Sequence, residues 1–428
     1  MSTAAVPANS TGKIVVASFI GTAIEFYDFY VYATATALVF GLLFFPTEST
    51  SAQQLLSFAT FSIAFIARPL GSALFGHFGD RIGRKSTLVA SLMIMGVSTT
   101  LVGLLPTYET IGVVAPLVLC VLRFGQGIGL GGEWGGAALL AVENAPPGKR
   151  AWFGMFPQLG APVGFICANG LFLLLAATLD DDQFRSWGWR VPFLMSALLL
   201  AVGLYVRLKL TETPFFREAM EKGEKQRVPL GTLLRSHWRD TLLGTLAMVA
   251  CYSIFYLSTV FALGYGTKTL GYSREEFLSL LLVAIVFMAI GIVISAWLSD
   301  RLGRKPVLLG GMVLTGLMGF LMGPMLTAGA PLEVTAFLSI ALLCMGLIFG
   351  PMGAVLSELF PTQVRYTGAS VTYNMGGILG ASFAPLIALH LAGIGGLAYV
   401  GLYLTGTAVL SFVAVMLMRE TRDETLGG

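Results

Sequence analysis

Charged side chains are scarce: Asp, Glu, Lys and Arg make up 11% of the 428 residues, against roughly a quarter in an average soluble domain. A water-soluble surface needs more charge than that, so an ordinary soluble enzyme is excluded. Cysteine is nearly missing. Cys120, Cys167, Cys251 and Cys344 each sit in an apolar run with no C-x-x-C spacing, which leaves no disulfide framework, redox pair or thiolate metal site. The three histidines, His77, His237 and His390, are scattered and offer no metal-ligand spacing. Lys and Arg number 26 for a net charge of +3, in small groups, so no basic stripe for nucleic acid is present. Neither a Walker loop nor a nucleophile elbow occurs, which argues against an ATP-driven pump and a hydrolase. Gly127-x-Gly129-x-x-Gly132 fits a dinucleotide motif in letters only, because no strand precedes it.

What the chain does have is apolar sequence, 56% of all residues. A spanning helix needs about 20 mainly apolar residues. Twelve such runs lie near residues 14–44, 55–78, 87–106, 111–142, 152–178, 190–208, 240–268, 276–299, 307–328, 332–357, 368–391 and 395–418, hereafter spans 1 to 12. Span 1 carries Glu25 and Asp28, unlike the clean core of a signal peptide, and is expected to stay in place. Segments 79–86, 143–151, 207–239, 300–306 and 358–367, with both tails, hold 20 of the 26 basic residues. Positive charge stays on the cytoplasmic side, so both termini are expected inside.

Two patterns recur. Asp80-Arg81-Ile82-Gly83-Arg84-Lys85 returns 220 residues later as Asp300-Arg301-Leu302-Gly303-Arg304-Lys305, and Glu143-x-x-Pro146-x-x-x-Arg150 returns 215 later as Glu358-x-x-Pro361-x-x-x-Arg365. Each half therefore carries six helices in the same order, a parallel repeat. The expected organisation is all-α, twelve transmembrane helices in two six-helix bundles, residues 1–208 and 240–428, joined by a cytoplasmic linker, 209–239.

These features resemble the major facilitator superfamily along essentially the whole chain, with Gly76-x-x-x-Asp80-Arg81-x-Gly83-Arg84-Lys85 matching its signature between spans 2 and 3. Glu25-Phe26-Tyr27-Asp28-Phe29, Ala67-Arg68-Pro69, Gly131-Gly132-Glu133-Trp134-Gly135-Gly136, Trp187-Gly188-Trp189-Arg190-Val191-Pro192-Phe193 and Glu358-Leu359-Phe360-Pro361 are similar to the metabolite:proton symporter family, nearest to its shikimate-type permeases. The resemblance implies a multi-pass protein of a bacterial cytoplasmic membrane that imports a small organic acid with a proton, as a monomer and without a cofactor. A symporter of zwitterionic osmolytes and a proton-independent exchanger stand as alternatives.

An ionisable group in mid-membrane costs several kcal/mol unless it has a partner or a wet cavity, which singles out Glu25, Asp28, Arg68, Arg123 and Glu133. Glu25, Asp28 and Tyr32 share one face of span 1, and Arg123, Gln126 and Glu133 one seam of span 4. Asp28 is expected to pair with Arg123 when ionised and release it when protonated; related sugar:proton symporters carry an acid and an arginine at the matching positions. Glu25 and Glu133 are rivals for the proton. Arg68, about 18 Å from the cytoplasmic end at 1.5 Å per residue, is the expected anchor of the substrate carboxylate. Tyr32, Trp134 and Gln158 from the first half and Tyr252, Tyr256, Tyr373 and Asn374 from the second supply neutral contacts. Gly76, Asp80, Arg81, Gly83, Arg84, Lys85, Asp300, Arg301, Gly303 and Arg304, with Glu143, Arg150, Glu358 and Arg365, read as a cytoplasmic gate. In it each loop Asp caps the next helix or pairs with a loop arginine.

Overall fold

The structure, a computed structural model, describes residues 11–82, 84–209, 230–361 and 364–423. The gate position Gly83 and the side chains of residues 76–88, hence those of Asp80, Arg81, Arg84 and Lys85 with the neighbouring Gly76, lie outside the described residues, as does the middle of the linker. Every regular element among the described residues is helical. Ten helices are long and apolar enough to cross a membrane, and Val89–Leu104 is a shorter apolar one. The last of the ten, Arg365–Leu417, is 53 residues long and turns back at Gly395 and Gly396, so it holds two passes. Gly396 has φ +68°, a conformation only glycine takes cheaply. The total is the expected twelve.

Span 1 comprises Thr11–Ala35 with a π-turn at Thr36–Phe40 and a last turn at Gly41–Phe44. Spans 2 and 3 are Thr50–Ile82 and Arg84–Leu104. Span 4 is Val114–Leu130, interrupted at residues 131–133, then Trp134–Glu143. Spans 5 and 6 are Arg150–Thr178 and Val191–Lys209. Span 7 is Trp238–Tyr256, a π-turn at Leu257–Phe261, and Ala262–Lys268. Arg274–Leu302, Arg304–Met325 and Pro331–Glu358 are spans 8 to 10. The repeat is visible in the backbone as well as in the letters: the π-turns of spans 1 and 7 begin at Thr36 and Leu257, the same offset to within a residue as the two loops. π-turns concentrate at functional sites.

In the first half span 1 packs on span 5, span 2 on span 4, and span 3 on spans 4 and 6; in the second, span 8 packs on span 10, span 9 on spans 10 and 12, and span 7 on spans 11 and 12. Large apolar side chains such as Leu117, Val121, Leu198, Phe320 and Val409 stay exposed on the outside, as a lipid-facing surface requires. Two glycines set distances that matter for function. A Cβ at Gly131 would stand 2.1 Å from the Arg68 carbonyl oxygen, and one at Gly353 would stand 2.9 Å from the carbonyl oxygen of Gly154 in the other half. The first brings the break in span 4 onto the turn carrying Arg68. The second lets spans 5 and 10 touch backbone to backbone between the halves.

Candidate substrate site and gate

The five mid-membrane charges all point inward: Arg123 is 0% exposed, Asp28 2%, Glu133 3%, and Glu25 and Arg68 6%. Asp28 and Arg123 do not pair directly. The Asp28 carboxylate accepts from Ser196 Oγ at 2.5 Å and has the Thr99 side chain as a neighbour, whose hydroxyl donates to the Met95 carbonyl at 2.9 Å. Arg123 Nη1 donates to Gln126 Oε1 at 2.9 Å, and Gln126 Nε2 donates to Thr99 Oγ1 at 2.8 Å. An amide and a hydroxyl therefore stand where a direct ion pair is expected from sequence. Each of those groups both donates and accepts, so the chain costs no unsatisfied atom of its own.

The faces of Arg123 are covered by rings. Its Cζ lies 3.9 Å from the Tyr32 centroid, 4.6 Å from that of Phe29 and 5.1 Å from that of Phe61. Arg68 is held likewise, 4.6 Å from Phe29 and 4.5 Å from Phe65. Phe29 thus contacts both guanidiniums. Cation–π contact offsets part of the burial cost, but the polar edges stay open: Nε of Arg68 and Nε and Nη2 of Arg123 are buried with no hydrogen-bond partner. Among the described residues no carboxylate lies within ion-pairing distance of either arginine. Nε and Nη2 form one edge of the guanidinium, the fork that receives a carboxylate through two parallel bonds.

The second half meets these charges with the neutral groups expected of it. Tyr256 packs on Phe29, Phe61 and Phe65, Tyr252 on Phe65 and Tyr373, and Tyr373 stacks flat on Trp134 at 3.8 Å. Trp134 Nε1 donates to Gln158 Oε1 at 3.0 Å, and Gln158 Nε2 to the Phe349 carbonyl of span 10 at 3.1 Å. Asn374 Nδ2 donates to Ser72 Oγ at 2.8 Å, and Tyr32 donates to Thr60 at 2.9 Å. Glu133 accepts from Ser91 Oγ at 3.0 Å, and Glu25 lies within electrostatic reach of Tyr373. The rings close the centre. A cavity of about 10 Å³ lined by Tyr30, Thr34, Phe165, Asn169 and Thr259, among others, has room for about one water.

Both ends are shut. At the end bearing the repeated loops, the two copies of the Glu-Pro-Arg motif pair crosswise: Arg150 Nη1 reaches Glu358 Oε1 at 3.5 Å and Arg365 Nη1 reaches Glu143 Oε1 at 3.4 Å. Asp300 bonds Arg304 at 2.8 Å. It caps no helix of its own half, accepting instead from the backbone N–H groups of Ala151 and Trp152 at 3.0 and 2.9 Å. Those are the first turn of span 5, in the opposite half, where the helix dipole favours an anion. Arg301 lies outside this cluster, over Trp297 at 4.0 Å. Toward the other end Gln54 donates to the Gly264 carbonyl at 3.2 Å, Arg274 pairs with Asp181, and Ser62 and Ser382 bond each other's backbone carbonyls.

Span 9 is capped by a residue that sequence reasoning missed. After Gly303, at φ +105°, the N–H groups of Arg304 and Lys305 donate to Glu420 of the C-terminal tail at 2.9 and 3.0 Å. Thr421 Oγ1 donates to Glu358 at 2.7 Å. Nothing at a fixed spacing advertises Glu420, because the residues it caps lie 115 positions or more away. Burial pushes its carboxyl up, but four backbone N–H donors outweigh that and hold it below the usual range near 4.5. A lowered folded value means the stabilisation is complete above about pH 4.5 and is lost as pH falls through the folded value. The melting temperatures of wild type and Glu420→Gln should therefore differ at pH 7 and converge as the buffer is taken below about pH 4; a gap independent of pH would show that the carboxylate charge is not what holds the tail.

Residues 13–236 match the family described as "Sugar (and other) transporter", and residues 243–427 match "Major Facilitator Superfamily". The chain belongs to the major facilitator superfamily. It is 54% identical to the inner membrane metabolite transport protein YhjE of Escherichia coli, over 98% of this chain and 97% of that one. It is 37% identical to the shikimate transporter of the same organism, over 95% and 94%. The D-xylose–proton symporter structure superposes with a TM-score of 0.75 at 19% identity, covering 97% of this chain and 99% of that one, and so shares the fold. This major facilitator protein is a transporter of small metabolites and not an enzyme.

Proposed function

We propose that this transporter imports a small organic acid together with a proton, as a monomer in a bacterial inner membrane with both termini cytoplasmic, by alternating exposure of the site around Arg68 and Arg123. The observation that carries the reading is a pair of deeply buried guanidiniums, with Nε of Arg68 and the Nε–Nη2 edge of Arg123 lacking a hydrogen-bond partner and, among the described residues, no carboxylate paired with them. Burying an unpaired charge costs several kcal/mol, and a substrate anion arriving at those edges recovers part of it. Asp28, held by the Ser196 hydroxyl, is the acid that carries the proton. The likeness to a shikimate transporter supports a hydroxylated carboxylic acid, for which the hydroxyl groups of Tyr252, Tyr256 and Tyr373 are suited neighbours.

Purified protein in liposomes, offered shikimate, 2-oxoglutarate, citrate, benzoate, proline and glycine betaine under an imposed pH gradient, tests this. An acid should accumulate, and an uncoupler should abolish the accumulation. Uptake of proline or betaine alone would make the protein an osmolyte symporter, and uptake indifferent to the uncoupler would make it an exchanger. A lysine in place of Arg68 keeps the charge but loses the planar fork. Arg68→Lys is therefore expected to raise KM for the carboxylate about tenfold, about 1.4 kcal/mol, while a neutral amide or ester analogue changes much less. Equal losses for both would remove Arg68 from the carboxylate contact.

A further inference from the structure

The hydrogen bonds between Arg123 and Asp28 have a direction. Arginine only donates and ionised aspartate only accepts, so Nη1 of Arg123 must meet the carbonyl oxygen of Gln126, which turns the amide N–H toward Thr99 Oγ1. That leaves the Thr99 hydroxyl one proton to give and two places to give it: the Asp28 carboxylate or the Met95 carbonyl one helical turn back, at 2.9 Å. The donors of Arg123 and Gln126 point from the cation toward the acid, and the Thr99 hydroxyl, resting on Met95 here, stands between the two acceptors.

We propose that Gln126 and Thr99 are positioning residues that relay the charge state of Asp28 to Arg123, so that protonation of Asp28 loosens the hold on Nη1 and lets the guanidinium turn its open Nε–Nη2 edge to the substrate anion. This rests on the reading of Asp28 as the proton carrier. With Asp28 ionised, the Thr99 hydroxyl turns to it, the amide of Gln126 is polarised along the chain, and Arg123 Nη1 is held against Gln126. With Asp28 protonated, the acceptor at the end of the chain loses its charge and the Thr99 hydroxyl falls back to Met95. The grip on Arg123 loosens, and its Nε and Nη2, already free of protein partners, are presented to an anion. Hydrogen bonds in such a chain strengthen one another in a low-dielectric interior, and a double-mutant cycle is the clean way to apportion them.

The other groups facing Asp28 make the test specific. Span 4 presents Glu133, span 6 the Ser196 hydroxyl, span 3 Thr99, and span 1 itself the Tyr27 phenol, while Arg123 connects by way of Gln126 and Thr99. Gln126 and Thr99 are uncharged, so replacing them removes the path and leaves the charges. The experiment is infrared difference titration of the purified full-length protein in nanodiscs, following the carboxylic acid band of Asp28, assigned by its loss in Asp28→Asn. Arg123→Gln should displace the midpoint by about one pH unit or more, tenfold in proton affinity. In a Thr99→Val or Gln126→Leu background the same substitution should displace it by less than about 0.3 unit, the usual scatter of additive effects. Thr99→Ser, which keeps the hydroxyl, should restore the full displacement. A displacement of equal size in every background, or none in the wild-type background, overturns the relay. A merely structural role for Thr99 would lower the melting temperature and leave the Arg123-dependent displacement intact. The absence of any Asp28 titration between about pH 4 and 10 overturns instead the proton reading on which the relay rests.

Discussion

Replacing Asp28 by asparagine should end uphill transport and spare exchange. One pH unit across the membrane stores about 1.4 kcal/mol, enough for about tenfold accumulation at one proton per substrate. The amide side chain of Asp28→Asn is nearly isosteric with the carboxylate, and its carbonyl oxygen can still accept from Ser196, so the helix contact at this site persists. What it cannot do is take up or release a proton. The accumulation ratio in liposomes with an imposed gradient should fall from about tenfold to about one, while counterflow of labelled against unlabelled substrate continues. Should the variant still concentrate substrate, the proton travels elsewhere. Glu133 and Glu25 are then the next to replace, since both are buried acids of the same bundle.

The second large effect is expected at Glu358, the hub of the gate. Its side chain is 1% exposed and takes two bonds from Arg304, at 3.1 and 3.0 Å, one from Arg150 across the halves, and one from Thr421 of the tail. Arg304 is itself only 3% exposed. Removing one partner of a buried pair leaves the other charge stranded, at a cost of about 3–5 kcal/mol. Glu358→Ala should therefore lower the melting temperature by several degrees and weaken closure at this end, because the same carboxylate anchors span 9, span 5 and the tail. Adding Arg304→Ala should recover part of the loss, since no unpaired cation is then buried, although Asp300 loses its partner too. A cost under about 1 kcal/mol, typical of exposed ion pairs, would mean the cluster is held by packing alone.

The crosswise pairing of Arg150 with Glu358 and Arg365 with Glu143 explains why that motif occurs twice. Each copy supplies an acid and a base, and a parallel repeat about an axis along the membrane normal places the acid of one half against the base of the other. The repeat was legible in the letters; the reciprocal contact was not, because an offset of 215 residues says that two segments are alike and nothing about whether they touch. Asp300 makes the same point more sharply. Its spacing suits a cap for its neighbouring helix, yet it caps span 5 in the opposite half, and Glu420 takes the nearby position.

Composition and period alone determined the solvent of this protein, the count of its helices, its duplication, and which acids and bases must face inward. Those properties are local: a run of about 20 apolar residues spans lipid whatever surrounds it, and a charge within such a run must find cover. Partner choice was decided only by the tertiary structure. The glycine contacts that bring span 4 onto span 2 and span 5 onto span 10 set helix separations to within an ångström, and a hydrogen bond forms or fails over that same distance. Hence Arg123 bonds Gln126 and Gln126 bonds Thr99, a neighbour of Asp28, in place of a direct pair, and one phenylalanine ring, Phe29, packs against two arginines.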